Sequence, residues 1–262
     1  MGKIELLLST MNREPDFLEK LNIKTDIVVV NQCDINSRRE LDFNGYHVVW
    51  INSTTRGLSK SRNIAIKHST AEYIVLTDDD MVYRENYNEI LLESFEKYKN
   101  MDIFAFQVEG IERKFKNYPS KAKELSFMGT MKISSVELVF RREALISNKI
   151  EFNENFGSGA EFKMGEENIL LFQCLKKKLK IQYVPCVIAD LHMDESTWFQ
   201  GFNEKYFYDR GAVYYEMFGK FAYIMLIQFM IRKYSVYRKQ IDLREAWKQS
   251  MRGLQKIKSA KS

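Results

Sequence analysis

The sequence is poor in residues that interrupt or cross-link a chain. It contains three prolines and three cysteines in 262 residues, and we find no internal repeat or low-complexity tract. So few prolines argue against long, stiff linkers between domains. Cys33, Cys174 and Cys186 are odd in number and unrelated in spacing, which excludes a disulfide framework and fits buried thiols in a reducing compartment.

Long apolar runs are also absent. No stretch reaches the length of about 18 apolar residues that a membrane-spanning helix needs, so none is predicted. The amino terminus has a short apolar run that is followed at once by polar and charged residues, unlike a secretory signal. From these two absences we expect a cytoplasmic protein.

A net positive charge is found only at the carboxyl-terminal end. Residues 232–262 carry ten Lys or Arg and two Asp or Glu, whereas the rest of the chain carries 30 basic and 33 acidic side chains. The main part of the chain therefore lacks the basic composition of a nucleic-acid-binding protein, and no nucleic-acid partner is expected. With 45% hydrophobic and 29% charged residues, the chain can bury a substantial core.

What the sequence does contain is an alternation of short apolar strands and helical patterns. The predicted strands span 4–8, 26–30, 46–51, 73–77, 103–108, 136–140 and 181–189, and the predicted helices span 16–21, 58–68, 87–98 and 166–178. Continuously apolar strands are typical of sheets covered on both faces. The alternation predicts an α/β/α sandwich with a mostly parallel central sheet, followed by a mostly helical end of the chain.

Polar residues follow four of the predicted strands at the point where each strand ends. In a parallel sheet the carboxyl ends of the strands meet at one edge, and ligands bind beyond that edge. The segments expected there are Ser9 to Arg13, Asn31 to Asp34, Asn52 to Arg56 and Asp78 to Asp80.

Three consecutive aspartates, Asp78, Asp79 and Asp80, give the strongest chemical signal. Adjacent carboxylates repel each other, so placing them at a strand end is costly unless a cation neutralises them. Oxygen ligands of this kind suit Mn²⁺ or Mg²⁺ shared with substrate phosphates. A solvated acidic turn is the open alternative.

A helix start between Arg56 and Asn63 combines a glycine, two serines and three cations. Such a helix start suits a diphosphate, although the spacing is not that of a P-loop.

Later in the chain a helix begins with Glu166 and Glu167, either of which could act as a general base; complementarity to the helix dipole would also explain the pair. His192 follows a strand and is either a ligand or a structural residue.

Taken in order, these features resemble an inverting family 2-type glycosyltransferase with the GT-A fold, the fold of nucleotide-diphospho-sugar transferases. The resemblance covers roughly residues 3 to 200. It rests on Ser9 to Arg13, Arg56 to Asn63, Ile74 to Asp80, Gly165 to Asn168 and His192. The Gly-Leu-Ser-x-Ser-Arg-Asn run followed by the acidic triplet is its most specific part.

The resemblance implies a role for each matching residue. The donor-binding residues would be Thr10, Asn12, Arg13, Asn31, Arg56, Ser61, Arg62, Asn63, Asp78 and Asp79. Asn31 stands where many relatives have an acid that grips the nucleotide base. Asp80 and Asp78 would bind Mn²⁺ or Mg²⁺, and His192 would complete the metal shell. Glu167 would be the base, with Glu166 as the alternative, since this chain has Glu-Glu where Glu-Asp is usual.

The implied activity is transfer of a sugar, with inversion, from a nucleoside diphosphate sugar to an acceptor hydroxyl. UDP is the expected nucleotide, the acceptor would be a glycan or a lipid-linked saccharide, and the setting would be bacterial surface polysaccharide synthesis. Two other functions stay open. One is a sugar-nucleotidyltransferase, although the glycine-rich loop of that class is missing after the first strand. The other is a sugar-nucleotide-binding or membrane-surface protein without transferase activity.

The expected organisation is a GT-A catalytic domain, 1–200, and a basic helical extension, 201–262. The donor half would span 1–108 and the acceptor half 109–200, and Trp198, Phe202, Tyr206 and Tyr208 would either line the acceptor site or pack in the core. In the extension, apolar residues 221–231 are followed by cations, which fits a helix on an anionic membrane surface at the inner face of the plasma membrane. A core helix or a homodimer interface fits as well.

Overall fold

The predicted alternation of strands and helices is confirmed by the computed structural model, which describes residues 3–193 and 201–260. The strands are β1 (Ile4–Met11), β2 (Asp26–Gln32), β3 (Ser37–Phe43), β4 (Tyr46–Ser53), β5 (Tyr73–Asp78), β6 (Met81–Tyr83), β7 (Ile103–Gly110), β8 (Lys123–Glu124), β9 (Leu138–Arg141) and β10 (Ile181–Leu191). The helices are α1 (Leu58–His68), α2 (Tyr87–Lys97), α3 (Phe127–Thr130), α4 (Arg142–Ser147), α5 (Glu166–Lys176), α6 (Glu204–Phe218), α7 (Ala222–Tyr237) and α8 (Leu243–Ser259). Short 3₁₀ helices span Pro15–Leu21, Ser135–Glu137 and Gly219–Phe221.

All the described strands belong to one mixed sheet. Its order is β3-β4-β2-β1-β5-β9-β7-β10-β6, and β8 pairs with β10. Strands β4, β2, β1 and β5 are parallel neighbours, and β7 is parallel to β10. Because β9 is antiparallel to both β5 and β7, these six strands run in one direction and end at one edge of the sheet.

Some details of the sheet differ from the expectation. The segment 136–140 begins as a 3₁₀ turn and continues as the antiparallel strand β9. The unpredicted strand β3 forms a hairpin with β4, and Asn44 and Gly45 between them both have positive φ, as a tight two-residue hairpin turn requires. The unpredicted strand β6 pairs antiparallel with β10, and this pairing brings the acidic triplet beside the end of β10.

The core lies on both faces of the sheet. Leu6 and Leu8 of β1 belong to the hydrophobic cluster on one face, and Leu7 between them belongs to the cluster on the other face. This is the arrangement expected of a strand covered on both sides, because successive side chains point in opposite directions.

A third hydrophobic cluster joins the carboxyl-terminal helices to α5. It includes Phe162 and Ile169 together with Phe207 and Val213 of α6. Helices α6 and α8 cross closely at two glycines, since a Cβ atom on Gly211 would lie 1.9 Å from the Ser250 carbonyl oxygen. The predicted domain boundary near residue 200, and Trp198, lie outside the described residues, so the division into two domains stays a prediction.

No helix in the ranges 3–193 and 201–260 is long and apolar enough to cross a membrane. The basic extension is mostly helical, as predicted.

Candidate active site

The carboxylate of Asp79 lies on the predicted edge of the sheet, beside the end of β1. It accepts a hydrogen bond from Thr10 Oγ1 at 2.7 Å and contacts Arg13 Nε at 3.4 Å. These bonds cross between neighbouring strands β1 and β5, so two segments that are distant in the sequence meet here as predicted. Arg13 also lies over the Phe17 ring, with the guanidinium carbon 4.8 Å from the ring centre.

Asn31 fixes the turn that follows β1. Its Oδ1 accepts from the Arg13 amide at 3.0 Å, and its Nδ2 donates to the Arg13 carbonyl at 3.0 Å and to Asn52 Oδ1 at 2.9 Å. The preceding residue, Asn12, has φ 51°, a conformation that asparagine tolerates well. A carboxylate at position 31 could accept but not donate, so the amide found here matches its surroundings.

Arg62 of α1 lies under the edge of the sheet rather than on it. Its side chain is 1% exposed, and its guanidinium donates to Glu166 Oε1 at 3.1 Å and to Asp78 Oδ1 at 3.0 Å. Burial alone would lower the pKa of Arg62, but the nearby carboxylates outweigh this effect and raise it. The arginine therefore bridges two acids that come from the two halves of the chain, and its contact with the donor stays a prediction.

The neighbouring residues of α1 also form hydrogen bonds within the protein, and their contacts with the donor stay predictions. The Ser61 hydroxyl is buried and donates to Ser9 Oγ at 2.9 Å. The Asn63 side chain donates to the Phe152 carbonyl at 3.0 Å and accepts from the Phe152 amide at 2.8 Å. These groups hold β1 and the loop before α5 in place, because their hydrogen-bonding atoms are already occupied.

Arg56 lies at the surface before α1. Its guanidinium donates to the Cys33 carbonyl at 2.6 Å and to Asp34 Oδ1 at 2.7 Å. It remains partly exposed at the edge of the sheet, where a donor contact was predicted.

The glycine-rich loop before α5 packs against the start of α1. The Leu58 amide donates to the Ser158 carbonyl at 2.8 Å, and Ser59 Oγ donates to the Phe156 carbonyl at 2.6 Å. A Cβ atom on Gly159 would lie 3.1 Å from Gly57 Cα, and one on Gly157 would lie 3.2 Å from Glu166 Cδ. Both loop glycines have positive φ, so the backbone approaches α1 and Glu166 where a side chain would not fit.

The two acids that begin α5 have different surroundings. Glu166 is buried and accepts from Arg62, so its charge is compensated. Among the described residues no cation forms an ion pair with Glu167, and burial together with the adjacent Glu166 carboxylate raises the pKa of Glu167 to about 8. A carboxyl group with a pKa near neutrality is suited to proton transfer, and Glu167 therefore fits a general base better than Glu166 does.

Asp80 and His192 lie next to each other at the ends of β5 and β10. The His192 amide donates to the Asp80 carbonyl at 2.9 Å, and the imidazole Nδ1 lies 2.8 Å from Glu112 Oε1. Glu112 was not predicted, and no pattern in the sequence singles it out. It orients the histidine, because its second oxygen also accepts from the Met193 amide at 2.6 Å.

The Asp80 carboxylate has the features of a cation ligand. Its Oδ1 is buried without a hydrogen-bond partner in the part of the chain that the structure describes, and burial with the neighbouring Asp78 and Asp79 charges raises the pKa of Asp80 to about 7. Within the described ranges no three His, Cys, Asp or Glu side chains form a ready-made metal cage. Mg²⁺ and similar cations need only one or two carboxylates when substrate phosphates and water supply the other ligands, so this donor set fits.

Two cations that the sequence did not single out lie near Glu167. Burial lowers the pKa of Lys116, and the Glu137 and Glu167 carboxylates oppose that effect. Arg210 of α6 donates to the Tyr206 hydroxyl at 2.6 Å, and Glu167 is among the groups that raise its pKa against the effect of burial. The aromatic residues Phe202, Tyr206 and Tyr208 pack against the third hydrophobic cluster, which agrees with the expectation of core packing.

Comparison with known proteins identifies the family. The model of glycosyl transferase family 2 matches residues 14–162, which is more than half of the chain. The chain therefore belongs to glycosyl transferase family 2 and is a glycosyltransferase. The matched range contains the acidic triplet and α1 but ends before Glu166. No curated protein sequence matches the chain.

Solved structures agree on the fold. The crystal structure of S. aureus TarS residues 1–349 with UDP-GlcNAc has a TM-score of 0.67 and 17% identity, and the alignment covers 97% of this chain and 80% of that one. The same TarS segment with UDP has a TM-score of 0.63 and 16% identity, with 98% and 82% covered. These similarities extend over β1, α5 and the carboxyl-terminal helices, and they confirm the predicted GT-A fold.

Proposed function

We propose that this glycosyltransferase moves a sugar from a UDP-sugar to an acceptor hydroxyl with inversion, and that it depends on Mn²⁺ or Mg²⁺. The observation that carries the proposal is the Arg62 bridge. One buried guanidinium contacts Asp78 beside the unpartnered Asp80 oxygen and Glu166 beside Glu167. Through these two contacts Arg62 holds the segment of the candidate cation ligand close to the segment of the candidate base. A single displacement requires both groups at one reaction centre.

The side chains of this chain have distinct roles in the proposed reaction. Glu167 takes the proton from the acceptor hydroxyl, and its raised pKa favours that transfer near neutral pH. The hydroxyl oxygen forms its bond to the anomeric carbon as the bond to the departing diphosphate breaks on the opposite face, which inverts the configuration. Asp80 and Asp78, with His192 beside them, would hold the cation. When bound, the cation supplies charge stabilisation for the leaving diphosphate.

The donor is proposed from the polar groups at the edge of the sheet. Thr10, which is buried, and the partly exposed Arg13 and Asp79 form a connected polar cluster there, next to the Asn31 amide. The TarS structures that share the fold contain UDP-GlcNAc or UDP, so UDP-GlcNAc is the first donor to test. Synthesis of a bacterial surface polysaccharide is the proposed setting, with a glycan or lipid-linked saccharide as acceptor.

A sugar-nucleotide-binding protein without transferase activity is the rival proposal, whereas family membership sets the nucleotidyltransferase aside. The test is thermal shift and UDP release with UDP-GlcNAc and UDP-glucose, each with and without Mn²⁺. We expect stabilisation and UDP release that need Mn²⁺, and loss of both in Asp80→Asn. Asp42→Asn is the control, since this exposed aspartate lies in the β3–β4 hairpin and is not among the residues predicted to bind the donor or the metal. Stabilisation without turnover would support the rival, and Mn²⁺-independent turnover would refute the metal proposal.

We also propose that α7 rests on an anionic membrane surface. Phe221, Ile224 and Ile231 are 69%, 62% and 74% exposed and recur at helical spacing, while Leu226 and Phe229 face the core. Between residues 217 and 241 the chain carries five cations and no acid. Anionic lipid would neutralise these cations while the apolar side chains enter the interface.

Sedimentation with lipid vesicles tests the membrane proposal. The chain should bind phosphatidylcholine vesicles that contain phosphatidylglycerol but not pure phosphatidylcholine vesicles, and Ile224→Ser with Ile231→Ser should weaken binding by about tenfold. Leu243→Ser is the control, since Leu243 is exposed outside this stripe. Dimerisation that the same double variant abolishes, without vesicle binding, would show that the face is a homodimer interface instead.

A further inference from the structure

A second polar surface lies on the acceptor half of the molecule and is lined by none of the residues proposed to bind the donor. A cavity of about 530 Å³ is lined by the end of β7 and the loop that follows it, including Arg113, Lys114, Lys116 and Tyr118. The loop from Ile111 to Lys123 carries five cations and one acid, although most of the catalytic part of the chain is slightly acidic.

One end of this loop is attached beside the proposed cation ligands. The Ile111 amide donates to the Leu191 carbonyl at 3.0 Å, and Glu112 accepts from the side chain of His192. A glycine at position 110 allows the loop to pack closely at this point. A Cβ atom on Gly110 would lie 3.1 Å from the Met193 side chain and 2.1 Å from the Arg113 carbonyl oxygen.

The middle of the loop is attached near the proposed base. Lys116 Nζ donates to the Lys132 carbonyl at 2.7 Å. The Asn168 amide, one residue after Glu167, donates to the carbonyls of Thr130 and Ile133 at 3.2 and 3.1 Å. The cavity therefore lies along a loop that is tied to both sides of the proposed reaction centre.

Two of the cavity cations have no acidic partner among the described residues. Glu109 pairs with Arg84, Glu112 contacts His192, and Lys116 pairs with the fully buried Glu137. Arg113 and Lys114 form no ion pair within the ranges 3–193 and 201–260; the contact of Arg113 to the Met193 carbonyl is long, at 3.5 Å. Both residues are exposed at the cavity, so a positive potential remains there.

We infer that the acceptor is an anionic saccharide whose phosphate or carboxylate group binds Arg113 and Lys114 while its hydroxyl reaches Glu167. This inference rests on the proposed glycosyl transfer and adds the substrate class. A cleft lined by charge of one sign concentrates ligands of the opposite sign, and arginine suits the planar geometry of both anions. The donor diphosphate is the competing occupant, and it is distinguished by measuring donor and saccharide binding separately.

The test compares a neutral and two anionic tetrasaccharides: maltotetraose, phosphorylated maltotetraose and tetragalacturonate. At low salt the wild-type chain should bind one or both anionic probes about tenfold more tightly than maltotetraose, with the preference falling as salt is raised. Arg113→Gln with Lys114→Gln should remove the preference. Lys121→Gln with Lys123→Gln makes the same change of charge outside the cavity and should keep it. The better of the two anionic probes identifies the anion as phosphate or carboxylate.

Each contrary outcome has its own meaning. Equal binding of neutral and anionic probes by the wild-type chain, or equal losses in the two double variants, would overturn the inference. If the cavity variant lost UDP affinity by a similar factor, the cations would belong to the donor site, and the inference would fail while the proposed transfer stood. If the wild-type chain neither bound nor turned over any UDP-sugar, the proposed transfer would fail, and the saccharide measurement would still decide the charge preference.

Discussion

Two runs of adjacent acids, one at the end of β5 and one at the start of α5, show how differently a fold can treat identical side chains. Asp79 contacts Thr10 and Arg13 at the surface, whereas Asp80 is partly buried with an unpartnered oxygen. In the second run Glu166 is bound to a cation, whereas Glu167 is not. In each run a member paired with arginine stands beside a member whose pKa is raised.

One buried arginine forms an ion pair with an acid of each run. Arg62 contacts Asp78 and Glu166, which are the first acid of each run. Asp80 therefore stays available to bind a cation, and Glu167 to accept a proton. A buried cation of this kind is costly on its own and is retained when its partners compensate it. Substituting Arg62, or the acids one at a time, therefore distinguishes the acids that stabilise the fold from those that take part in the reaction.

The largest effect is expected from Arg62→Met, because it leaves two partly or fully buried carboxylates without their cation. The free energy of unfolding, measured by urea denaturation at pH 8, should fall by about 3–5 kcal/mol, and UDP release should be lost. Arg56→Met removes an exposed arginine and should cost less than about 1 kcal/mol. A loss as small as that of Arg56→Met would show that the bridge contributes little to folding.

Glu167→Gln should slow sugar transfer by about 10²–10⁴-fold, because it removes the proposed base, while the affinity for UDP-GlcNAc stays within about twofold. Single-turnover transfer and isothermal titration measure the two quantities. Glu166→Gln should instead lower stability, because Arg62 then lacks one carboxylate. If the two variants exchanged these phenotypes, Glu166 would be the base and Glu167 the structural partner.

Gly165→Ala should produce a smaller loss, by disturbing the start of α5 that carries both glutamates. Gly165 has φ 83°, and a Cβ atom there would lie 2.7 Å from a methyl group of Val213 in α6. We expect a fall in unfolding free energy of about 1–3 kcal/mol. Gly45→Ala is a matched control, since Gly45 has φ 84° with nothing within 4 Å of its Cβ position. Equal losses at the two sites would mean that the contact with α6 contributes nothing.

The sequence predicts the strand ends well because each polar segment follows a buried strand whose direction the alternation determines. It does not reveal that α1 turns Ser61, Arg62 and Asn63 inward, since that depends on how the helix rotates against the sheet. The hairpin between β3 and β4 was missed, although Asn44-Gly45 is a strong turn signal. The pairing of β6 with β10, which places His192 beside Asp80, connects segments about a hundred residues apart and has no local pattern.

The pH dependence of transfer gives the finest test of the contrast between the two glutamates. The base acts when deprotonated, so a pKa of about 8 predicts that single-turnover transfer rises about tenfold per pH unit below pH 8 and levels above it.

The free energy of unfolding should change in the opposite direction with pH. A carboxyl group whose pKa is higher in the folded state than in the unfolded chain stabilises the fold at low pH, and that contribution is lost as the pH rises through about 8. Glu167→Gln should therefore remove the rise in the transfer rate and make the stability curve shallower, with the remaining slope due to the raised pKa of Asp80. Single-turnover transfer and urea denaturation between pH 5 and pH 9 measure the two curves. A transfer profile that keeps the same midpoint in Glu167→Gln would assign the titration to another group and remove the distinction between Glu166 and Glu167.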